Sequence, residues 1–292
     1  MRRRRIGAAV LLAVVAGTGT ALAARQGGDP EAALREIGQW YSEQIRKARE
    51  EQRQPDLRVL NEQRAEKVRA ALAGIDPAKV EPAKQLALAQ LYQTVRMSKE
   101  MTAAAERFLA TNPEAERRLQ AQLLLLSGYA ALEDAAGIRR VLAQTRPSTP
   151  IAAAAIARMA GGMLAEIVAR KDGVEAGLSL LDTAAKLIPS GAPSSDQERL
   201  QVESARAALA LGRADILEGA ERGQEALKVL EDARARIAQG SPAARSLDSR
   251  LRQLRLVGQP APELKADRVH GTFTSLAALR GKVVVLDFTA HW

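Results

Sequence analysis

Prolines that follow a helix-capping residue recur along the chain, and they constrain its fold more than any other feature of the sequence. Five such pairs occur, at Asp29-Pro30, Asp76-Pro77, Asn112-Pro113, Thr149-Pro150 and Ser241-Pro242. The capping side chain accepts a hydrogen bond from a free N–H group of the first turn, and proline fits there because its missing N–H would have no partner. Each pair therefore predicts a helix start.

Between these pairs the apolar residues recur every three or four positions, as on one face of a helix. The clearest stripes are Leu119, Leu123, Leu126 and Ala130; Leu178, Leu181, Ala185 and Ile188; and Leu227, Leu230 and Ile237. The chain is 47% hydrophobic but only 3% aromatic, so alanine and leucine supply the buried surface. This composition favours helices that pack closely through small side chains, and it predicts a mostly α fold.

The spacing of the helix starts indicates a repeat. Asp76, Asn112 and Thr149 follow one another at intervals of 36 and 37 residues, close to the period of about 34 residues in tetratricopeptide (TPR) helix hairpins. One unit resembles that motif best, with Leu164, Ala165, Gly177, Leu181, Ala184 and Pro189 near its packing positions. Residues 24–257 are therefore predicted to form a TPR-like helical-hairpin array, with an irregular helical bundle as the alternative. Loops are expected at Pro189–Ser195 and at 239–242.

Residues 1–23 resemble a secretory signal peptide. Arg2 to Arg5 form a positive segment, Ile6 to Ala16 form an apolar core too short for a confident membrane span, and Ala21-Leu22-Ala23 is a small-x-small cleavage pattern. We expect cleavage before Ala24 and export, to the periplasm or outside the cell. An uncleaved segment that anchors the chain is the alternative, and it would be the only contact with a membrane.

Composition argues against several function classes. The formal net charge is +9, but beyond the leader the basic residues alternate with acidic ones, as in Glu114–Arg118, which is typical of solvated helix faces and not of a nucleic-acid site. The two histidines, His270 and His291, have no partner at metal-ligand spacing, so no metal site is expected. No cofactor is predicted.

Three motifs follow one another in the last 35 residues. They are Gly258-x-x-Ala261-Pro262, then Gly271 with Ser275-Leu276-x-x-Leu279-Arg280-Gly281-Lys282, and finally Val283 to Asp287 leading into Phe288-x-Ala290-x-Trp292. In this order and spacing the segment resembles the start of a thioredoxin-fold redoxin domain of the TlpA-like kind. The resemblance implies that residues 258–292 are the first part of an α/β domain, with Val283 to Phe288 as a buried strand.

The resemblance also implies roles for two residues. The family often has a buried aspartate at the position of Asp287, where it moves protons to and from the second cysteine, and Trp292 would lie beside the disulfide. The alternative for Asp287 is a strand-end carboxylate that faces solvent. In the family a Cys-x-x-Cys motif comes directly after the tryptophan, whereas this chain contains no cysteine.

By resemblance, the function is that of an exported thiol–disulfide oxidoreductase that acts on protein thiols and disulfides and has a helical domain for partner binding. Without cysteines we expect the 292 residues themselves to be inactive, and we expect the apolar segment 283–288 to be poorly ordered without its sheet. One alternative is a helical binding or scaffold protein with a vestigial redoxin tail. The other is a peroxiredoxin-type peroxidase, which the Phe-Thr-Ala-His-Trp ending disfavours.

Overall fold

The structure is a computed structural model that describes residues 28–261, 263–264, 268, 270–271, 273–287 and 289. Within this part of the chain there are eleven α-helices and no strand, and the prediction of a mostly α fold is confirmed. The helices are α1 Pro30–Glu50, α2 Leu57–Ala73, α3 Gln85–Thr94, α4 Ser98–Leu109, α5 Ala115–Ala131, α6 Ala135–Gln144, α7 Pro150–Asp172, α8 Val174–Ala185, α9 Asp196–Gly219, α10 Gly223–Ala235 and α11 Pro242–Leu256. The predicted signal segment, residues 1–23, lies outside the described residues.

Three of the five predicted helix starts are confirmed. Asp29 accepts a hydrogen bond from the Glu31 N–H at 3.0 Å and begins α1. Thr149 begins α7, where its hydroxyl accepts from the Ala152 N–H at 3.2 Å. Ser241 begins α11 in the same way, with Ala244 as the donor at 3.1 Å.

The other two predicted starts are wrong as helix caps. Asp76 accepts from the Ala78 N–H at 3.1 Å, but this bond closes a turn, and α3 begins only at Gln85 after a 3-10 turn at Pro82–Lys84. Asn112 has a positive φ of 52° just after α4, and α5 begins three residues later. Because asparagine tolerates the left-handed conformation, it can end one helix as readily as it can begin the next.

Four pairs of consecutive helices are joined by very short turns: α3 to α4, α5 to α6, α7 to α8, and α9 to α10. Each turn contains one residue with positive φ, and these are Arg96, Glu133, Gly173 and Glu221. At the three non-glycine positions, the next N–H bonds to a carbonyl five residues back, at 2.8 to 3.0 Å. This left-handed helix ending reverses the chain, so each pair forms a hairpin.

The hairpin turns come at intervals of 37, 40 and 48 residues, so only the first interval is close to the predicted spacing of 36 and 37 residues. The predicted marks Asp76, Asn112 and Thr149 lie in the links between hairpins, which explains why their spacing agrees with the first interval. Each helix packs against its neighbours in the sequence, and α9 also contacts α7 and α11. A hydrophobic core runs from Ile37 in α1 to Leu251 in α11.

The predicted apolar stripes mostly face this core. Leu119, Leu126, Leu178 and Leu181 are buried, whereas Ala185 is exposed because α8 ends there. The largest fully buried side chains are leucines and isoleucines with one aromatic residue, Phe108. Packing therefore depends on small and branched aliphatic side chains, as the composition predicts.

Two glycines bring α7 and α9 into backbone contact. A methyl group added at Gly161 would lie 2.5 Å from the carbonyl carbon of Ala208, and one added at Gly212 would lie 2.9 Å from the carbonyl carbon of Gly161. On the same pair of helices, the Arg158 guanidinium donates to the Gln201 side chain at 2.7 Å. Residue numbers rise together along the two helices, so α7 and α9 run in the same direction.

The contact lies in the one π-helical segment among the described residues, Ala160–Leu164, which interrupts α7. A π segment inserts an extra residue into one turn of the helix. The residues after it therefore face a different direction than they would in an uninterrupted α-helix. The second half of α7 can therefore pack on α8, where an added methyl group at Gly177 would lie 2.6 Å from the Ala169 Cβ.

Among the helices of the described residues, α7 alone is long and apolar enough to cross a membrane, by length and composition only. Its most apolar stretch of 18 residues has a mean hydropathy of 1.6. Half of that stretch is buried inside the protein. Its contacts with α8 and α9 account for the apolar composition, because a helix packed on several sides has little surface left for polar residues.

The strand predicted at Val283 to Phe288 is not seen in the described part of that range. Residues 283–287 carry no strand, and Val283 and Val285 are 98% and 87% exposed. An isolated strand has no partner for its N–H and C=O groups, and the described residues offer no second strand to pair with. Phe288 lies outside the described residues, and the predicted α/β segment has no counterpart in those that are described.

Candidate functional site

Of the two site residues predicted from the sequence, Asp287 and Trp292, the structure describes only Asp287. Asp287 is exposed in the unpaired segment after the last 3-10 turn, so the burial expected of a proton-transfer carboxylate is absent. Trp292 and His291 lie outside the described residues, and His270 is exposed. No group of three potential metal ligands occurs among the described residues.

An extended concave surface lies instead between α8, α9 and α10. It consists of two adjoining depressions of about 540 and 240 Å³ that share four lining residues, Ala185, Leu209, Ala233 and Arg236. The larger depression is also lined by Ile188, Pro189, Ser190, Arg206 and Ile237. We call this surface the α8–α10 groove.

The groove exists because α8 is shorter than its neighbour. The α8 helix has 12 residues and ends at Ala185, whereas α9 has 24 residues. A loop rich in proline, glycine and serine joins them until Ser195 caps α9 by accepting from the Glu198 N–H at 3.1 Å. Beyond the end of α8, one face of α9 is left without a helix on it, as the predicted loop at Pro189–Ser195 requires.

The floor of the groove is apolar and its edges are charged. Leu209 and Ile237 are buried at the base, while the Ile188 side chain is half-buried at the end of α8. Arg206 on α9 and Arg236 at the end of α10 are exposed at the edges. Asp232 lines only the smaller depression.

Two of the three arginines that line the groove, Arg206 and Arg236, have no ion pair among the described residues, whereas the third, Arg213, lines only the smaller depression and is paired. Six arginines lie between residues 196 and 236, and four of them form ion pairs: Arg199 with Asp196, Arg213 with Asp182, Arg222 with Glu175 and Glu225, and Arg234 with Asp248. Within the described residues, Arg206 and Arg236 have no carboxylate oxygen within 4.0 Å. Both unpaired guanidinium groups line the larger depression, which no carboxylate of the described residues lines, so positive charge predominates there, while Asp232 lines the smaller depression.

Ion pairs between hairpin turns fix the neighbouring helices. Glu133, in the turn after α5, contacts Lys171 at 2.7 Å and Arg170 at 2.6 Å near the end of α7. The hydrogen bond from Lys171 and the charge of Arg170 hold the pKa of the Glu133 carboxyl below its ordinary value. Arg222, in the turn after α9, contacts Glu175 at the start of α8 at 2.7 Å.

A second depression of about 570 Å³ lies beside the start of α3 and the end of α4. Gln85 lines it and is 2% exposed, and its amide nitrogen donates to the carbonyls of Pro77 and Val80 at 3.3 and 3.1 Å. These bonds hold the 76–84 loop on the helices. The Gln85 side-chain oxygen is itself buried and has no partner among the described residues.

Sequence reasoning missed the α8–α10 groove. The loop at Pro189–Ser195 was predicted, but nothing in the sequence shows that Arg206 and Arg236, 30 positions apart, line one surface. No local signal separates these two arginines, because Arg213 and Arg234 also lack a carboxylate at positions i+3 and i+4 and yet form ion pairs.

Comparison of the chain with protein-family models, with curated proteins and with solved structures gave no significant match.

Proposed function

We propose that this chain belongs to an exported thiol–disulfide oxidoreductase of the TlpA-like kind, in which the TPR-like helical array binds a partner protein. The observation that carries the proposal is the ordered set of three motifs in residues 258–292, which resembles the approach to a redoxin active site. The partner would present a thiol or a disulfide to the redox domain.

The arrangement of the helical part is compatible with this proposal. The last helix ends at Leu256, two residues before the first redoxin-like motif begins at Gly258. The α8–α10 groove lies in the last third of the array. The residues that would bind a partner there are therefore close in sequence to the redoxin-like segment. Helical-hairpin arrays commonly use such surfaces for protein binding.

The chemistry would need residues that these 292 positions do not contain. A thiolate attacks a disulfide and a second thiol resolves the mixed disulfide, and the chain has no cysteine. Asp287 would transfer protons only after its segment joins a sheet, because burial is what raises the pKa of a carboxyl to a useful range. Trp292 would flank the cysteine motif.

One further function is favoured by a specific observation. The α8–α10 groove is already formed in the helical part, whereas Asp287 is exposed. A binding or scaffold protein in which the redoxin-like segment is vestigial would need nothing beyond the helices.

Reading the coding sequence past the Trp292 codon distinguishes the two functions. The oxidoreductase requires an in-frame Cys-x-x-Cys directly after Trp292, followed by enough residues to complete the domain. A stop codon, or a continuation without a cysteine pair, would overturn it and leave the binding protein. In either case we expect the purified 292-residue chain to show no insulin-disulfide reduction.

Export is tested separately by mass spectrometry of the native protein. We expect the mature N-terminus at Ala24 in a periplasmic or extracellular fraction. Intact residues 1–23 on cytoplasmic material would contradict export without bearing on the redox proposal.

A further inference from the structure

We infer that the α8–α10 groove binds an acidic segment of a partner polypeptide, in which carboxylate side chains flank an apolar one. This inference deepens the proposed function, since it names the chemistry that the helical array would recognise. It rests on the shape of the groove, on its apolar floor and on its two unpaired arginines.

The shape of the groove fits a short extended peptide. Two joined depressions of about 540 and 240 Å³ form a continuous open channel between three helices. Pockets of about 300–1,000 Å³ hold ligands of drug size, which corresponds to a few amino-acid residues. An extended segment places successive side chains on opposite sides at about 3.3 Å per residue, so alternate side chains can enter the groove.

The floor supplies the apolar contact. Leu209 and Ile237 are buried at its base, and Ile188 and Pro189 border it where α8 has ended. Ala185 and Ala233 leave room above Leu209, because their side chains are single methyl groups. A leucine-sized side chain of the partner would cover this apolar surface and remove it from water.

The edges supply the charge. Arg206 and Arg236 are the unpaired members of the six arginines between residues 196 and 236. A guanidinium group binds a carboxylate with two parallel hydrogen bonds, so each arginine can take one acidic side chain. Asp232 at the smaller depression would repel a third carboxylate, which favours a segment with its acidic residues at the Arg206 end.

Binding to the full chain is measured by fluorescence anisotropy with an amidated peptide of sequence Gly-Glu-Ala-Leu-Ala-Glu-Gly that carries a fluorophore on its N-terminus, so that both glutamates and the leucine face the same side of the extended segment. We compare wild type, the double variant Arg206→Gln/Arg236→Gln, and the control Arg252→Gln, which removes an exposed arginine of α11 outside the groove. The double variant should weaken binding roughly fivefold, since two partly exposed pairs together contribute about 1 kcal/mol. Arg252→Gln should bind as wild type does.

Two altered peptides test the recognition without touching the protein. Replacing both glutamates by glutamine should weaken binding about as much as the double variant does, and replacing the leucine by serine should weaken it independently. Circular dichroism confirms that each protein variant keeps its helices, as expected for exposed arginines. The glutamate peptide should also lose affinity as salt rises from 0.05 to 0.5 M.

Several results would overturn the inference: no binding by wild type at millimolar peptide, equal binding by the double variant, or equal binding of the glutamine peptide. Preferential binding to phosphatidylglycerol vesicles through the same arginines would overturn it too, because the occupant would be a lipid surface. None of these outcomes decides whether a Cys-x-x-Cys follows Trp292, so failure of the groove is distinguishable from failure of the oxidoreductase.

Discussion

The substitution Gly161→Ala adds a single methyl group, but it should destabilise the protein more than so small a change suggests. Gly161 faces the backbone of α9, where the added methyl carbon would lie 2.5 Å from the carbonyl carbon of Ala208 and 2.7 Å from the Leu209 nitrogen. Carbon atoms in contact are normally about 3.5–4.0 Å apart, so α7 and α9 must separate by about 1 Å. Backbone atoms cannot rotate away as a side chain can.

The expected magnitude follows from two opposing effects. Overpacking a core costs about 1–3 kcal/mol, and a clash between two backbones belongs at the upper end of that range. Alanine gains about 1 kcal/mol over glycine in a helix, which leaves a net loss of roughly 2 kcal/mol in the free energy of unfolding. For a domain of this size, that corresponds to a fall of about 4–8 °C in Tm.

The neighbouring Gly162 is a matched control. It lies in the same π segment, but an added methyl group there meets no atom within 4 Å. Gly162→Ala should therefore leave stability unchanged or raise it by up to about 1 kcal/mol. Urea unfolding followed by circular dichroism at 222 nm measures both variants, and a Gly161→Ala protein as stable as Gly162→Ala would refute the proposed contact between α7 and α9.

Three further predictions concern other parts of the fold. Burial and a hydrogen bond to Glu106 raise the pKa of Tyr129 to about 12, so the stability that this group contributes is present below about pH 10 and is lost as pH rises towards 12. In urea titrations, Tyr129→Phe should reduce the loss of unfolding free energy over this pH range. Wild type and variant losing stability in parallel would contradict the prediction. Glu221→Gly should raise the free energy of unfolding by about 0.5 kcal/mol, because the left-handed conformation of Glu221 costs about 1 kcal/mol and the extra freedom of glycine in the unfolded chain offsets about half of that gain. A lower Tm of the variant would show this account to be wrong. Deleting residues 258–292 should shift Tm by less than about 2 °C, since among the described residues no core residue lies beyond Leu254. A larger shift by calorimetry would reveal packing of the tail on the helices.

Much of the helical architecture could be predicted because its causes are local. Asp29, Thr149 and Ser241 each cap the helix that follows them, and this depends on a few adjacent residues. Asp76 and Asn112 have the same local pattern but close a turn and end a helix instead. The choice depends on how the flanking helices pack, which a short sequence pattern does not contain.

The candidate site could not be predicted because its causes are not local. Arg206 and Arg236 line one depression only when α9 and α10 pair, and a sequence pattern does not show which arginines find a carboxylate in the folded chain. The contact of Gly161 with Gly212 depends on a crossing of helices about 50 residues apart in the sequence. Asp287 is the converse case, since its proposed role needs a sheet that the described residues do not form.

The contact between α7 and α9 has a mechanical consequence. Along most of the helical part each helix packs on its neighbours in sequence. A force applied to the two ends of the chain should therefore unfold the early hairpins one after another. The last two tight hairpins are joined where Gly161 and Gly212 meet, and neither can leave until that junction opens. In an optical-tweezers experiment the region Pro150–Ala235 should therefore yield in one large extension step, whereas α3 to α6 should yield in smaller ones.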